Sequence, residues 1–168
     1  MFDNSLYTGK FKDDKYHGKG VLKLNDSSLV ETVFNQGKMG SFAKVTYLSG
    51  DTYVGDIKDL MRHGMGTYTT RKGQYYEGEF RSDEIAGIGL IRYRDGKTYV
   101  GEQKNMKRQG LGRLYTKEGY YEGAFSDDKK HGKGYMVQAD GRVYAGNYRE
   151  DKEEGLGEYI DSKDVSSI

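Results

Sequence analysis

Residues 121–134 read YEGAFSDDKKHGKG and residues 7–20 read YTGKFKDDKYHGKG, identical at ten of fourteen positions although 114 residues separate the copies. That separation is four steps of 23 residues and one of 22. A fixed step of this size is the mark of a repeat architecture, in which each unit buries its apolar face against the next. Tyr followed two residues later by Gly recurs at Tyr7, Tyr53, Tyr76, Tyr99, Tyr121 and Tyr144. The first interval, of 46 residues, hides a degenerate unit that starts near Val30, which makes seven units. Ten residues after each Tyr come His17, His63, Ala86, Gln109, His131 and Glu154, each followed by Gly-x-Gly. Of the 25 glycines, 23 occupy slots of this motif, and only Gly37 and Gly40 of the degenerate unit do not.

So many glycines would cost helical repeats heavily, and the apolar residues alternate with period two, as on a strand. In YYEGEF the side chains of Tyr76, Gly78 and Phe80 share one face. Two residues after each Gly-x-Gly stands an apolar residue: Leu22, Val45, Tyr68, Ile91, Leu114, Met136 and Tyr159. Each unit therefore reads as a β-hairpin, and the chain as an all-β, elongated single-sheet solenoid of about seven antiparallel hairpins. Pairing within a hairpin sets Tyr7 opposite Leu22, Gly9 opposite Gly20 and Phe11 opposite Gly18. A Tyr ring beside Gly can lie over bare backbone, and a row without Cβ atoms lets a sheet bend. The expected form is a trough, with Tyr and Phe rows leaning together across the glycines. Two strands per unit at about 4.8 Å each predict a rod about 65 Å long. Thr32, Ser41 and Ala43 occupy glycine slots in the second unit, where a shallower bend and a kink are expected.

The pattern Y-x-G-x-F, a polar tip, H-G-x-G and a D-G turn resembles the MORN (membrane occupation and recognition nexus) repeat. Six units keep it and the second keeps only its spacing and Phe34. The repeats run over 7–29, 30–52 (degenerate), 53–75, 76–98, 99–120, 121–143 and 144–161, with a polar tail at 162–168, in one repeat domain spanning 1–168. The resemblance implies a non-enzymatic scaffold in a cytoskeletal or ciliary, axonemal, assembly. It also implies an alternative, a peripheral module for anionic phospholipids.

The chain has 27 basic and 26 acidic residues, so no net field draws it to nucleic acid. Without cysteine there are no disulfides and no thiolate chemistry. The start lacks the apolar run of a signal peptide, which fits a cytoplasmic protein, associated with cytoskeleton or cilium if the resemblance holds. His17 and His63 stand two units apart, about 19 Å by strand spacing, too far to share one metal ion. Acidic residues are scattered over hairpin tips and form no carboxylate pair in a cleft. No enzyme and no cofactor is expected.

What remains is binding. A single sheet has no second layer to cover its aromatic face, and exposed apolar surface marks partner sites. Tyr53, Tyr76, Phe80, Tyr99, Tyr121, Phe125 and Tyr144 are the expected trough contacts for a partner's peptide or helix. Inside the Gly-x-Gly pairs, Phe42, Met65, Ile88 and Leu111 place four apolar side chains on the opposite face, a stripe for a homodimer or second partner. Lys104, Lys107, Arg108 and Arg113 form the one basic cluster suited to an anionic ligand such as lipid.

Overall fold

The computed structural model describes residues 5–160. Every regular element among them is a strand. The strands are β1 (Leu6–Lys12), β2 (Lys15–Lys23), β3 (Leu29–Asn35), β4 (Lys38–Thr46), β5 (Thr52–Lys58), β6 (Met61–Thr69) and β7 (Tyr75–Arg81). They continue as β8 (Glu84–Arg92), β9 (Thr98–Lys104), β10 (Lys107–Thr116), β11 (Gly119–Ser126), β12 (Lys129–Gln138), β13 (Val143–Arg149) and β14 (Lys152–Ile160). Sheet order is chain order, and the strand pairing is antiparallel. Two compact units divide the chain, one ending at Glu84 and the other beginning at Ile85. The tail at 162–168 lies outside the described residues.

Hairpin tips are two-residue turns with both residues left-handed, as at Asp13–Asp14 (φ 50° and 57°) and Asp127–Asp128 (φ 48° and 70°). Such type I′ turns match the twist of the strands they join, and Asp tolerates them. Successive hairpins are joined by a different turn. At Tyr47–Asp51, the N–H of Gly50 donates to the Tyr47 carbonyl, with Gly50 at φ 87°. The turns at Thr70–Gln74, Tyr93–Lys97 and Gln138–Arg142 repeat that bond.

The predicted register holds for two of its three pairs. In the first unit Tyr7 faces Leu22 and Gly9 faces Gly20, but Phe11 faces Tyr16, not Gly18. A bulge at Gly18–Lys19 takes up the difference, with Gly18 at φ 70°. The same bulge recurs in the second unit, where Gly132 sits at φ 68° and Phe125 faces Lys130. The first Gly of Gly-x-Gly therefore serves a left-handed bulge residue, and only the second belongs to the glycine row.

That row explains the core. The Tyr121 ring lies flat over Gly123 and Gly134, and its hydroxyl donates to the Ala124 carbonyl at 3.0 Å. Tyr53, Tyr76 and Tyr99 likewise donate to the carbonyls of Asp56, Glu79 and Glu102. Phe rings stand edge-on between them: Phe80 meets Tyr53 and Tyr76, each at 5.1 Å, and Phe125 meets Tyr99 and Tyr121 at 5.2 and 5.1 Å. The degenerate repeat solves the same packing differently. Val30 replaces the Tyr, and Thr32 and Ala43 fill the space that the missing ring leaves, all three buried. Added Cβ atoms here compensate for a lost ring.

Candidate functional site

Away from the end strands, where Phe11 and Tyr159 are exposed, the ring face is sealed. Tyr53, Tyr76, Phe80, Tyr99, Tyr121, Phe125 and Tyr144 are each at most 3% exposed, so they hold the sheet and offer no surface to a partner. This corrects the expected trough. Rings beside glycines do not lean over an open channel but fall onto the bare backbone and fill it. Cations close the layer from above. The Arg62 guanidinium lies 5.1 Å from both Tyr68 and Phe80, Arg108 lies 5.2 Å from Phe125, and the Lys130 ammonium is 5.1 Å from Tyr121. Burial pushes the phenols of Tyr53, Tyr76 and Tyr121 up to about 12, and lowers the Lys130 pKa.

The same cations anchor successive hairpins. The Asp83 N–H donates to the Arg62 carbonyl, and the Arg62 N–H donates to the Asp83 carboxylate at 2.8 Å. Arg108 with Asp128 and Lys130 with Asp151 repeat this two-way bond. The basic cluster is therefore largely spent. Arg108 is paired with Asp128, Lys107 with Asp127 and Arg113 with Glu122, leaving Lys104 alone of the four without a carboxylate partner among the described residues. Carboxylates that neutralise these cations remove most of the field an anionic ligand would need.

The accessible site lies on the other face of the sheet. In the second unit a groove of about 750 Å³ runs across the strands from Ile88 to Asn147. Its floor is the backbone of Gly101, Gly112, Gly123, Gly134 and Gly146, whose missing Cβ atoms point to the ring face. Ile88 and Leu111, two members of the apolar stripe, form one wall. As the alternation requires, the stripe is exposed: Phe42 59%, Met65 60%, Ile88 67% and Leu111 66%. Phe42 lines a smaller groove of about 430 Å³ in the first unit, with Val21 and Val33.

Along the groove, cross-strand neighbours run Val100, Arg113, Glu122, Tyr135 and Ala145. The Glu122 carboxylate accepts from Tyr135 at 2.7 Å and from Arg113 at 2.6 Å, which hold its pKa below the ordinary value. Arg113 also donates to the Tyr115 hydroxyl at 3.2 Å and lies 5.0 Å from the Tyr120 ring. Tyr115 and Tyr120 pair across strands at 5.9 Å, and Tyr120 meets Tyr135 at 6.3 Å. Sequence reasoning missed this aromatic and ionic group because it followed the periodic residues. The register did contain the signal, since the residue after each Tyr faces the residue after each Gly-x-Gly, which puts Glu122 opposite Tyr135. Among the described residues no three His, Asp or Glu side chains converge on a metal position.

The profile of the MORN repeat family matches residues 7–28, 53–75, 76–98, 121–141 and 144–164, well over half of the chain. The chain belongs to the MORN repeat family. No curated protein matches it significantly. Among solved structures it is similar to the TCP domain of Drosophila melanogaster SAS-4, in complex with a proline-rich motif of Ana2. The TM-score is 0.55 at 13% identity, over 91% of this chain and 88% of that one. The wild-type TCP10 domain of Danio rerio CPAP aligns at a TM-score of 0.28 and 13% identity, over 87% of this chain and 85% of that one. At this identity the Drosophila domain shares the fold.

Proposed function

We propose that this MORN repeat chain is a non-enzymatic scaffold that binds a segment of a protein partner in the groove opposite its tyrosines. The observation that carries the reading is the division between the faces. The ring face is consumed by folding, while the other keeps an apolar-walled groove with a bare glycine floor. Exposed apolar surface of this kind marks interaction sites. The Drosophila TCP domain with the shared fold was solved with a peptide motif of a protein partner, which supports a protein occupant here. A cytoskeletal or ciliary assembly is the setting that family membership suggests. The alternative of anionic lipid is disfavoured by the carboxylates paired with Lys107, Arg108 and Arg113.

Selection of peptides from an unbiased display library tests the reading. Enriched peptides should bind the chain and lose binding on Leu111→Lys, a change at an exposed wall position that leaves the circular dichroism spectrum intact. Enriched peptides indifferent to Leu111→Lys and Ile88→Lys would overturn it, as would capture by anionic vesicles that either variant leaves unchanged. A second copy covering Ile88 and Leu111 in the second unit is the competing occupant. Light scattering that reports a dimer dissolved by Ile88→Lys would assign the stripe to it.

A further inference from the structure

β1 and β14 are the outermost strands of the described sheet, each with one neighbour. Together they carry the two halves of the seam that joins successive hairpins. Between β12 and β13 that seam sets Gly132 opposite Tyr148, Gly134 opposite Gly146 and Met136 opposite Tyr144, and β6 with β7 keeps the register. Continued from β14 of one copy to β1 of another, the register sets Gly155 opposite Phe11, Gly157 opposite Gly9 and Tyr159 opposite Tyr7. The side chains left open are the ones that such a seam covers. Phe11 is 62% exposed, whereas Phe34, Phe80 and Phe125 in the same slot of their hairpins are at most 3% exposed. Phe80 and Phe125 each stand between the Tyr of their own hairpin and that of the hairpin before it. Phe11 has its own, Tyr7 at 5.3 Å, and Tyr144 of another copy would supply the second. Tyr159, which rests against Tyr144 at 4.8 Å, and Leu156 are exposed on β14 as Phe11 is on β1.

Charge selects the partner. β1 carries Lys10 and Lys12 and no acid, while β14 carries Glu153, Glu154 and Glu158 against Lys152. Pairing β1 with β1, or β14 with β14, brings like charges together, which is how natural sheets guard their edges. Pairing β14 with β1 brings Glu154 beside Lys12 and Glu158 diagonal to Lys10, and opposite charges across strands stabilise a sheet. The hairpin tips fit as well. Within the sheet the second tip residue bonds both ways to the second residue of an earlier strand, as Asp83 does to Arg62. The first tip residue takes the lysine that opens that earlier strand, as Asp127 takes Lys107 and Glu150 takes Lys129. Asp13 and Asp14 have no such partners among the described residues, and Lys152 and Glu153 hold the two matching positions on β14. One position departs from the pattern. Where Arg62 and Arg108 present a cation to the tip carboxylate, Glu153 presents a second carboxylate.

We infer that β14 of one copy takes β1 of a second copy as its next strand, head to tail. Each added copy leaves a further β1 and β14 open, so assembly does not stop at two. Sedimentation velocity of the full chain across the micromolar range should show species that grow past a dimer with concentration. Lys10→Glu with Lys12→Glu should weaken association by about 10-fold or more, and so should Glu154→Lys with Glu158→Lys. These four positions are exposed, so circular dichroism should be unchanged. Mixing the two variants should restore assembly, because every junction then joins lysines to glutamates. Glu153→Arg supplies the cation present at the other seams and should tighten association by about 10-fold. A chain that stays monomeric or stops at a dimer overturns the inference. So does weakening by only one of the paired variants, failure of the mixture to assemble, or no tightening by Glu153→Arg.

Discussion

Gly134 and Gly123 both lie under the Tyr121 ring, yet the structure separates their roles. The three atoms nearest a Cβ built on Gly134 all belong to Tyr121, with ring atoms Cε2 and Cζ at 2.5 Å and the hydroxyl closer still. A Cβ on Gly123 meets backbone as well, with the Gly134 Cα at 2.5 Å and the Lys133 carbonyl oxygen at 2.6 Å. Gly134→Ala must displace the ring, and overpacking of this kind costs about 1–3 kcal/mol. Tyr121→Val empties a buried site, at about 2–4 kcal/mol by analogy with other large-to-small changes. Together they recreate the arrangement of Val30 with Ala43 in the second repeat, where both side chains are buried. The added methyl then occupies space the ring has left, and the double variant should be more stable than the sum of the singles by about 1–3 kcal/mol. Gly123→Ala with Tyr121→Val should recover less than half of that, since the backbone contacts persist. In the second repeat Thr32 meets the corresponding carbonyl, that of Phe42, with a hydroxyl hydrogen bond of 2.6 Å, which alanine cannot make. Urea unfolding of the six proteins, followed by circular dichroism, measures both cycles. A Gly134 coupling within about 0.5 kcal/mol of zero, or equal coupling at the two glycines, refutes the reasoning.

Gln103 occupies the slot that Phe80 and Phe125 fill elsewhere, is 8% exposed, and pairs neither its amide oxygen nor its nitrogen among the described residues. Gln103→Leu should therefore stabilise the chain by about 1–3 kcal/mol in urea unfolding, and a neutral or destabilising result would contradict this. At one hairpin tip, Asp128→Ala removes the acceptor for the Arg108 N–H and should cost about 1–2 kcal/mol. Asp127→Ala also places alanine at a left-handed φ but otherwise breaks only an exposed pair with Lys107, so it should cost less than Asp128→Ala by about 1 kcal/mol; equal effects would dismiss the anchoring role of the second tip residue. Tyr53, Tyr76 and Tyr121 have phenol pKa values raised to about 12 chiefly by burial, and Tyr68 likewise by burial and then by Asp51. In the unfolded chain these phenols ionise near 10, so between pH 10 and 12 the unfolded state binds fewer protons and stability falls as pH rises. Absorbance titration should show a late class of tyrosines ionising together with loss of the strand signal, whereas a single transition near 10 with the sheet intact would refute the burial.

The all-β hairpin repeat was legible in the sequence because period, glycine slots and alternation agree at every copy. Tyr7 opposite Leu22 and Gly9 opposite Gly20 follow directly from that alternation. The bulge at Gly18 was not legible, since a Gly marks permission for a left-handed residue but not its use. Reading Gly-x-Gly as two rungs of one row put Phe11 opposite Gly18. The larger miss, the face on which the accessible groove lies, has a volumetric cause. Glycines under rings read equally well as room left open or as room taken. Only three-dimensional packing decides, and the Tyr121 hydroxyl reaching the Ala124 carbonyl shows the room taken.

That packing also determines where specificity can be encoded. On the ring face every position answers to another: a Tyr demands two glycines, and a Val in its place admits Thr32 and Ala43. The opposite face has no such reciprocity. In the first unit its central row reads Thr8, Val21, Glu31, Lys44, Val54, Thr67 and Glu77, and in the second Val100, Arg113, Glu122, Tyr135 and Ala145. The residues change from strand to strand while the glycine row beneath them stays nearly constant. Changes on this face leave the ring packing untouched, so charge, aromatic content and groove depth can be altered there at little cost in stability. A repeat array built this way separates the residues that fold it from the residues that recognise. The Arg113, Glu122 and Tyr135 group, absent from the corresponding row of the first unit, is where this chain departs most from its own repeat and where its partner selectivity should reside.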